Sequence, residues 1–210
     1  MDSHAKIRVI DESLVVSLPQ PHQVVSWAPL HGGFRNGVAH IVVHRVASTV
    51  QAEGIRSEVR QVIGRLGLRG TVVGMGTTED VRAHAAATAQ ANGVALTAIS
   101  VAPPGFSTAP ANWNPETVSA MGSISLVLVL NKRVSHEFML EALAAVVETK
   151  TRARWRGQQQ DGPDFPLIWS PCDCVAIAAT EETEARFLGT SELFKVSMAR
   201  TFSRVLRRSH

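Results

Sequence analysis

The first fifty positions alternate between short β-branched runs and turn residues. Ile7–Ile10, Leu14–Leu18 and Val24–Trp27 read as strands, the first two as a hairpin across Asp11-Glu12-Ser13. Val38–Val46 reads as the next strand. Between Val50 and Leu66 the apolar residues Val50, Ile55, Val59, Ile63 and Leu66 suit a helix despite Gly54 and Gly64. Gly70–Gly76 predicts a short strand ending in glycines. Thr77–Gly93 predicts a second helix: Thr77 or Thr78 caps it, Glu79 and Asp80 favour its positive end, and Asn92-Gly93 stops it.

Val94–Ala102 is again strand-like. Pro103–Thr117 is a polar loop carrying Trp113, and long polar loops in compact domains tend to be functional. Gly122–Asn131 is almost continuously apolar, as a strand buried on both faces should be. Ser135 caps a helix running to about Trp155. Gly157–Pro166 is a polar break, Asp173–Thr180 the last strand and Ser191–Arg208 the last helix. In that helix Phe194, Met198, Phe202, Val205 and Leu206 form the packing stripe. No repeat or linker divides the chain. The expectation is a single α/β (mixed α+β) domain over residues 1–210, a central mixed sheet with packed helices.

Composition narrows the chemistry. Of 210 residues 45% are hydrophobic and 19% charged, a globular balance. There is no Tyr, so no phenol can serve as acid, base or oxyanion donor. The net charge of +3 is modest, and the arginines of "SRVLRRSH" complement a helix C-terminus, which argues against a nucleic-acid partner. Cys172 and Cys174, in "CDC", are too few for a disulfide framework. No secretory layout opens the chain and no apolar run is long enough to span a bilayer; a cytoplasmic protein without a membrane partner is expected. No protein metal site is expected either. His40 and His44, four apart in a strand, would lie ~13 Å apart and cannot share one ion.

Three places can carry chemistry. In "SWAPLHGGFRN", Ser26–Asn36, the pair Gly32-Gly33 allows a backbone nest beside His31, though a plain turn would also explain it. His31 is a candidate acid–base or ligand contact. On the Ser135–Trp155 helix, Met139, Leu140, Leu143, Ala144, Val146 and Val147 share one arc, and Lys150 falls inside it. Lys150 either snorkels past the helix end or reaches a polar pocket, where it can stabilise an anion. Asp173 points opposite to the two flanking thiols if "CDC" is strand, and either orients a His or Lys or ends the strand.

The order of these motifs resembles the adenosylcobinamide amidohydrolase (CbiZ) family along nearly the whole chain. Gly32 and Gly33 match its Asn-Gly-Gly loop, with His31 in place of Asn. His44 also stands where the family has Asn. "GSIS" has Ser123 and Ser125 for Thr and Asn. Lys150 and Thr151 match a Lys-Thr pair, Asp173 matches an Asp, and Gly189-Thr190 survive from a longer motif. The resemblance implies hydrolysis of the amide joining aminopropanol to a corrinoid, in cobamide salvage, or a related amide for a close paralogue. It implies His31 or His44 as base, Asp173 as its orienting partner, and Lys150 with the Gly32 and Gly33 amides at the oxyanion. Trp27, Asn36, Trp113, Ser123, Ser125 and Thr151 would contact the substrate. No cofactor is needed, because the cobalt belongs to the substrate. The altered polar positions also suit a non-catalytic binding protein for a corrinoid or other large ring. Homo-oligomerisation is left open.

Overall fold

The computed structural model describes residues 5–47, 51–91, 94–102, 123–157, 172–181 and 201. In chain order these hold strands β1 (Lys6–Ile10), β2 (Ser13–Ser26) and β3 (Gly33–Arg45), and helix α1 (Ala52–Arg65). Strands β4 (Thr71–Thr77), β5 (Ala85–Ala91), β6 (Val94–Val101) and β7 (Ser125–Leu130) follow. Helix α2 (His136–Gly157) and strand β8 (Val175–Thr180) complete the series. The eight strands form one mixed sheet in the order β4-β3-β2-β8-β7-β6-β5, with β1 paired to β2. β3–β4 and β7–β8 are the parallel pairs, and α1 and α2 supply their connections.

The two short strands expected at Leu14–Leu18 and Val24–Trp27 are one long strand. Pro19 and Pro21 do not end β2; they sit where its register against β3 shifts, between Ser17 and Val24. A proline removes a ladder donor and is tolerated at such an irregularity. The first half of β2 pairs with β1 and β3, the second with β3 and β8.

Alternation then sorts side chains into layers. Leu14, Val16 and Val24 of β2, Ile41 and Val43 of β3, and Val73 and Met75 of β4 meet Ile99, Val127, Val129, Ala176 and Ala178 of β6, β7 and β8 in one core. The opposite faces of β6, β7 and β8 (Leu96, Leu126, Leu128, Val175, Ile177) pack against Phe138, Met139, Ala142 and Val146 of α2. Ile55 and Val59 of α1 pack with Leu30, Val46 and Cys172, and Val15, Val42 and Val72 cover the rest of that side. The sheet therefore folds back on itself, and the layers run helix, sheet, sheet, helix.

The helix expected over Thr77–Gly93 is absent. Asp80 instead accepts a bond from the Arg82 amide (2.9 Å) and caps a single 3-10 turn, Val81–Ala83. β5 follows, antiparallel to β6. Ala85, Ala87 and Ala89 face the core while Ala86, Thr88 and Gln90 face solvent. Alanine on both faces conceals this period of two, and pairing with β6 overrides the helical propensity of the segment. On α2 the buried stripe is Phe138, Met139, Ala142, Val146 and Lys150; Leu140, expected on it, is 50% exposed. Ser135 does cap that helix, its Oγ accepting from the Phe138 amide at 3.2 Å. Of the expected final helix only Thr201 is described, and it is helical.

α1 lies against β4 because two residues of that strand have no side chain. A Cβ on Gly74 would stand 2.4 Å from Val59 Cγ1, and one on Gly76 2.6 Å from Ile55 Cγ2. Gly74→Ala and Gly76→Ala are each expected to destabilise by about 1–3 kcal/mol in urea unfolding. Gly64→Ala, on a helical residue with open space around the new methyl, should raise stability by about 0.5–1 kcal/mol.

Buried His22 gives a pH dependence. Desolvation holds its pKa below the ordinary 6.5, and the bond to the Gln20 carbonyl and the charge of Glu181 offset this only in part. The folded state thus favours neutral His22. Its contribution is complete above about pH 6.5 and is lost as pH falls from there towards the lowered value, because the unfolded chain takes up the proton first. Melting temperature should fall over that window. His22→Asn, which can still donate to the Gln20 carbonyl, should flatten the fall.

Candidate functional site

One end of the layered sheets gathers most of the buried polar side chains. β4 ends there in Gly76-Thr77, β7 begins after Ser123-Ile124, β8 begins after Cys172-Asp173-Cys174, and α2 brings Lys150. Lys150 and Asp173 are 4% and 3% exposed, and Lys150 Nζ lies 3.1 Å from Asp173 Oδ1. Both also hold the backbone of Ile124: its amide donates to Asp173 Oδ1 (2.8 Å), and Lys150 Nζ donates to its carbonyl (3.4 Å). One step further into the sheet the Leu126 amide donates to the Cys174 carbonyl. The ion pair thus continues the β7–β8 ladder one residue beyond its last backbone bond.

Clamping Ile124 fixes the hydroxyls on either side of it. Ser125 Oγ lies 3.3 Å from both the Gly76 and the Cys172 carbonyl. Ser123 Oγ lies 2.9 Å from Thr77 Oγ1 and accepts from the Thr78 amide at 2.8 Å. The Thr78 hydroxyl proton is shared between two acceptors, Glu79 Oε1 at 2.9 Å and Ser123 Oγ at 3.2 Å, and the Glu79 carboxylate also accepts from the Ser123 amide at 3.0 Å. The Thr78 hydroxyl therefore stands between the Ser123 hydroxyl and a carboxylate, within hydrogen-bond distance of both. Thr77, Thr78 and Glu79 went unrecognised as site residues because the segment read as a helix cap. The polar run directly after a glycine-rich strand was the available signal.

The Cys174 thiol is a poor nucleophile in this setting. Burial, with the neighbouring Cys172 adding to it, pushes the Cys174 pKa up to about 12, and the charge of Lys150 only partly opposes this. Cys172 and Cys174 are both buried and form no disulfide. Among the described residues no group of three or more His, Cys, Asp or Glu is placed to hold a metal ion.

The histidines stand apart from this cluster. His44 faces α1, its Nδ1–H shared between Ser13 Oγ (2.9 Å) and the Glu12 carbonyl (3.1 Å), with Nε2 3.5 Å from Glu58 Oε1. Asp173 Oδ1 is engaged by Lys150 and Ile124. The expected pairing of Asp173 with His31 or His44 is accordingly replaced by an Asp173–Lys150 pair. The reason is strand alternation, which sends His44 to the α1 side of β3.

His31 belongs to a second region. The Trp27–Gly32 loop runs along the free edge of β4, bridged by Leu30 and Gly74 through two backbone bonds. His31 takes the left-handed conformation (φ 56°), and its Nδ1–H donates to the Val72 carbonyl at 2.8 Å. Gly33 follows at φ 79°, where a side chain would be strained, and a Cβ on Gly32 would meet the Ala28 carbonyl at 2.3 Å. This loop, with Arg35, Arg56 and Arg60, lines an open cleft of about 400 Å³. The two regions meet at Trp27, which lines the cleft and donates its indole N–H to the Asp173 carbonyl at 2.7 Å. Asn36 lies exposed on β3 and Thr151 half-buried on α2 beside Lys150. Trp113 lies outside the described residues. No helix among the described residues is long and apolar enough to cross a membrane.

Comparison with known proteins now places the chain. Among solved structures it is similar to the L-aminopeptidase D-Ala-esterase/amidase of Ochrobactrum anthropi, described as a variant of the Ntn-hydrolase fold. That match has a TM-score of 0.52 and 9% identity, over 98% of this chain and 82% of that one. The PH0078 protein from Pyrococcus horikoshii OT3 matches with a TM-score of 0.51 and 10% identity, over 94% and 77%. At these identities the likeness is one of fold. No curated protein matches the chain. The family model for adenosylcobinamide amidohydrolase matches residues 1–208, and the chain therefore belongs to that family of amide-cleaving hydrolases.

Proposed function

We propose that this protein hydrolyses the amide that joins aminopropanol to a corrinoid, in cobamide salvage, and that the reaction runs at the Ser123 end of the layered sheets. The observation that carries the reading is the Thr78 hydroxyl placed between Ser123 Oγ and the Glu79 carboxylate, within hydrogen-bond distance of both. Amide cleavage needs a nucleophile whose proton has somewhere to go. In this reading Ser123 Oγ attacks the carbonyl carbon. For this the Thr78 hydroxyl, which donates towards Ser123 Oγ in the resting structure, turns its proton to Glu79 and accepts the Ser123 proton in its place. The C–N bond breaks as the amine leaves with that proton, and water releases the acid from the resulting ester by the same route. Lys150 and Asp173 act as positioning residues, holding the backbone of Ile124 and with it the Ser123 hydroxyl.

Ser123 is fully buried in this structure, so the reading requires the enclosure to open for the amide. Incubation with adenosylcobinamide, followed by chromatography for the corrinoid acid, is expected to show turnover. Ser123→Ala should lower kcat by about a hundredfold or more, and a serine-directed phosphonate should label Ser123 alone. Corrinoid binding with no turnover, or turnover that survives Ser123→Ala, would overturn the assignment.

The ion pair makes a separate prediction. Asp173→Ala leaves the Lys150 ammonium buried without its carboxylate and should cost about 3–5 kcal/mol. The double replacement Lys150→Met, Asp173→Leu should cost less than Asp173→Ala alone in chemical unfolding. If both residues only position the strand, that double variant should retain measurable turnover at a reduced kcat, with the pH profile unchanged.

A further inference from the structure

The cleft beside the glycine loop has a composition that the hydrolytic reading does not use. It is lined by Trp27, His31 and Arg35, Arg56 and Arg60, and among the described residues no acidic side chain contributes to the lining. Arg56 and Arg60 are four apart on α1 and share a face of that helix. Arg35 reaches the same cleft from β3. Among the described residues none of the three has a carboxylate within ion-pair distance. Arg56 is fixed in orientation, its Nε–H donating to the Pro29 carbonyl at 2.8 Å, and Arg35 Nη1 donates to the Phe34 carbonyl at 3.0 Å. Arg60 makes no hydrogen bond or ion pair among the described residues.

Three like charges around one concavity repel each other, and a bound anion would remove that repulsion. Guanidinium forks match tetrahedral oxyanions through paired N–H donors, and several forks around one space suit a multiply charged group better than a single carboxylate. The strained His31 backbone, with Nδ1 fixed on Val72, holds a further ring at the same wall. We propose that this cleft is a binding site for a phosphate-type oxyanion, either free or carried as a phosphoryl group on a larger ligand. The flanking Trp27 face offers that larger ligand an apolar surface next to the anion.

The test is titration calorimetry on the full chain with pyrophosphate, orthophosphate and acetate at matched ionic strength. Pyrophosphate should bind most tightly, orthophosphate less so, and acetate not measurably. Arg60→Gln and Arg35→Gln, both on exposed side chains, should weaken pyrophosphate by about tenfold or more each. Arg82→Gln, an exposed arginine remote from the cleft, should change nothing. An equal response to acetate and pyrophosphate, or binding indifferent to Arg35→Gln and Arg60→Gln, overturns the proposal. Phenyl phosphate binding at least as tightly as orthophosphate supports a phosphoryl group on a larger ligand, and weaker binding supports the free anion. The readout is binding alone, so Ser123→Ala protein should bind pyrophosphate unchanged even if the hydrolytic assignment fails.

Discussion

Everything in this molecule depends on β2 serving two layers at once. Its first half belongs with β1 and β3, its second with β3 and β8, and the irregularity around Pro19 and Pro21 lets the strand turn from one to the other. Without that continuity the apolar faces of β3 and β4 could not close over those of β6, β7 and β8. The shared core of Leu14, Ile41, Met75, Val127 and Ala176 would then open to water. The same closure brings the C-terminal end of β4 to the start of β7. The hydroxyls of Thr77, on β4, and Ser123, just before β7, meet there although β4 and β7 are not neighbours in the sheet.

Much of this was legible in the order of residues, for reasons that differ by element. β7 and β8 are near-continuous apolar runs because both faces are covered; β7 reads from its sequence as a buried strand and β8 as a strand. α1 announced itself through Ile55 and Val59. β5 did not, because alanine fits either period and only the ladder with β6 decides between them. The prolines of β2 read as breaks because their tolerance depends on which neighbouring strand they face, a tertiary fact. At the site, Lys150 on an apolar helix face and Asp173 between two buried cysteines were each visible as anomalies. That they satisfy one another required knowing that α2 crosses the start of β8. Glu79 was hidden by the same segment that was misread as helix.

The polar groups divide into two environments with different physics. Around Ser123, Lys150 and Asp173 the side chains are enclosed and hydrogen-bonded to backbone as well as to each other, so geometry is set rigidly and any unpaired group is costly. Around His31 the three arginines are open to water and carry one sign of charge, and Arg35 and Arg56 each hold only a backbone carbonyl. The first arrangement suits bond-making at a defined atom, the second attraction and orientation of something that arrives from solution.

Trp27 belongs to both environments, its ring on the arginine cleft and its indole N–H on the Asp173 carbonyl. A side chain shared in this way is a thermodynamic joint. Whatever shifts the ring from the solvent side alters the strand end that carries Asp173, and whatever shifts that strand end alters the cleft by the same free energy. The two halves of the pocket region are therefore not separable modules, and the fluorescence of this indole offers one observable common to both.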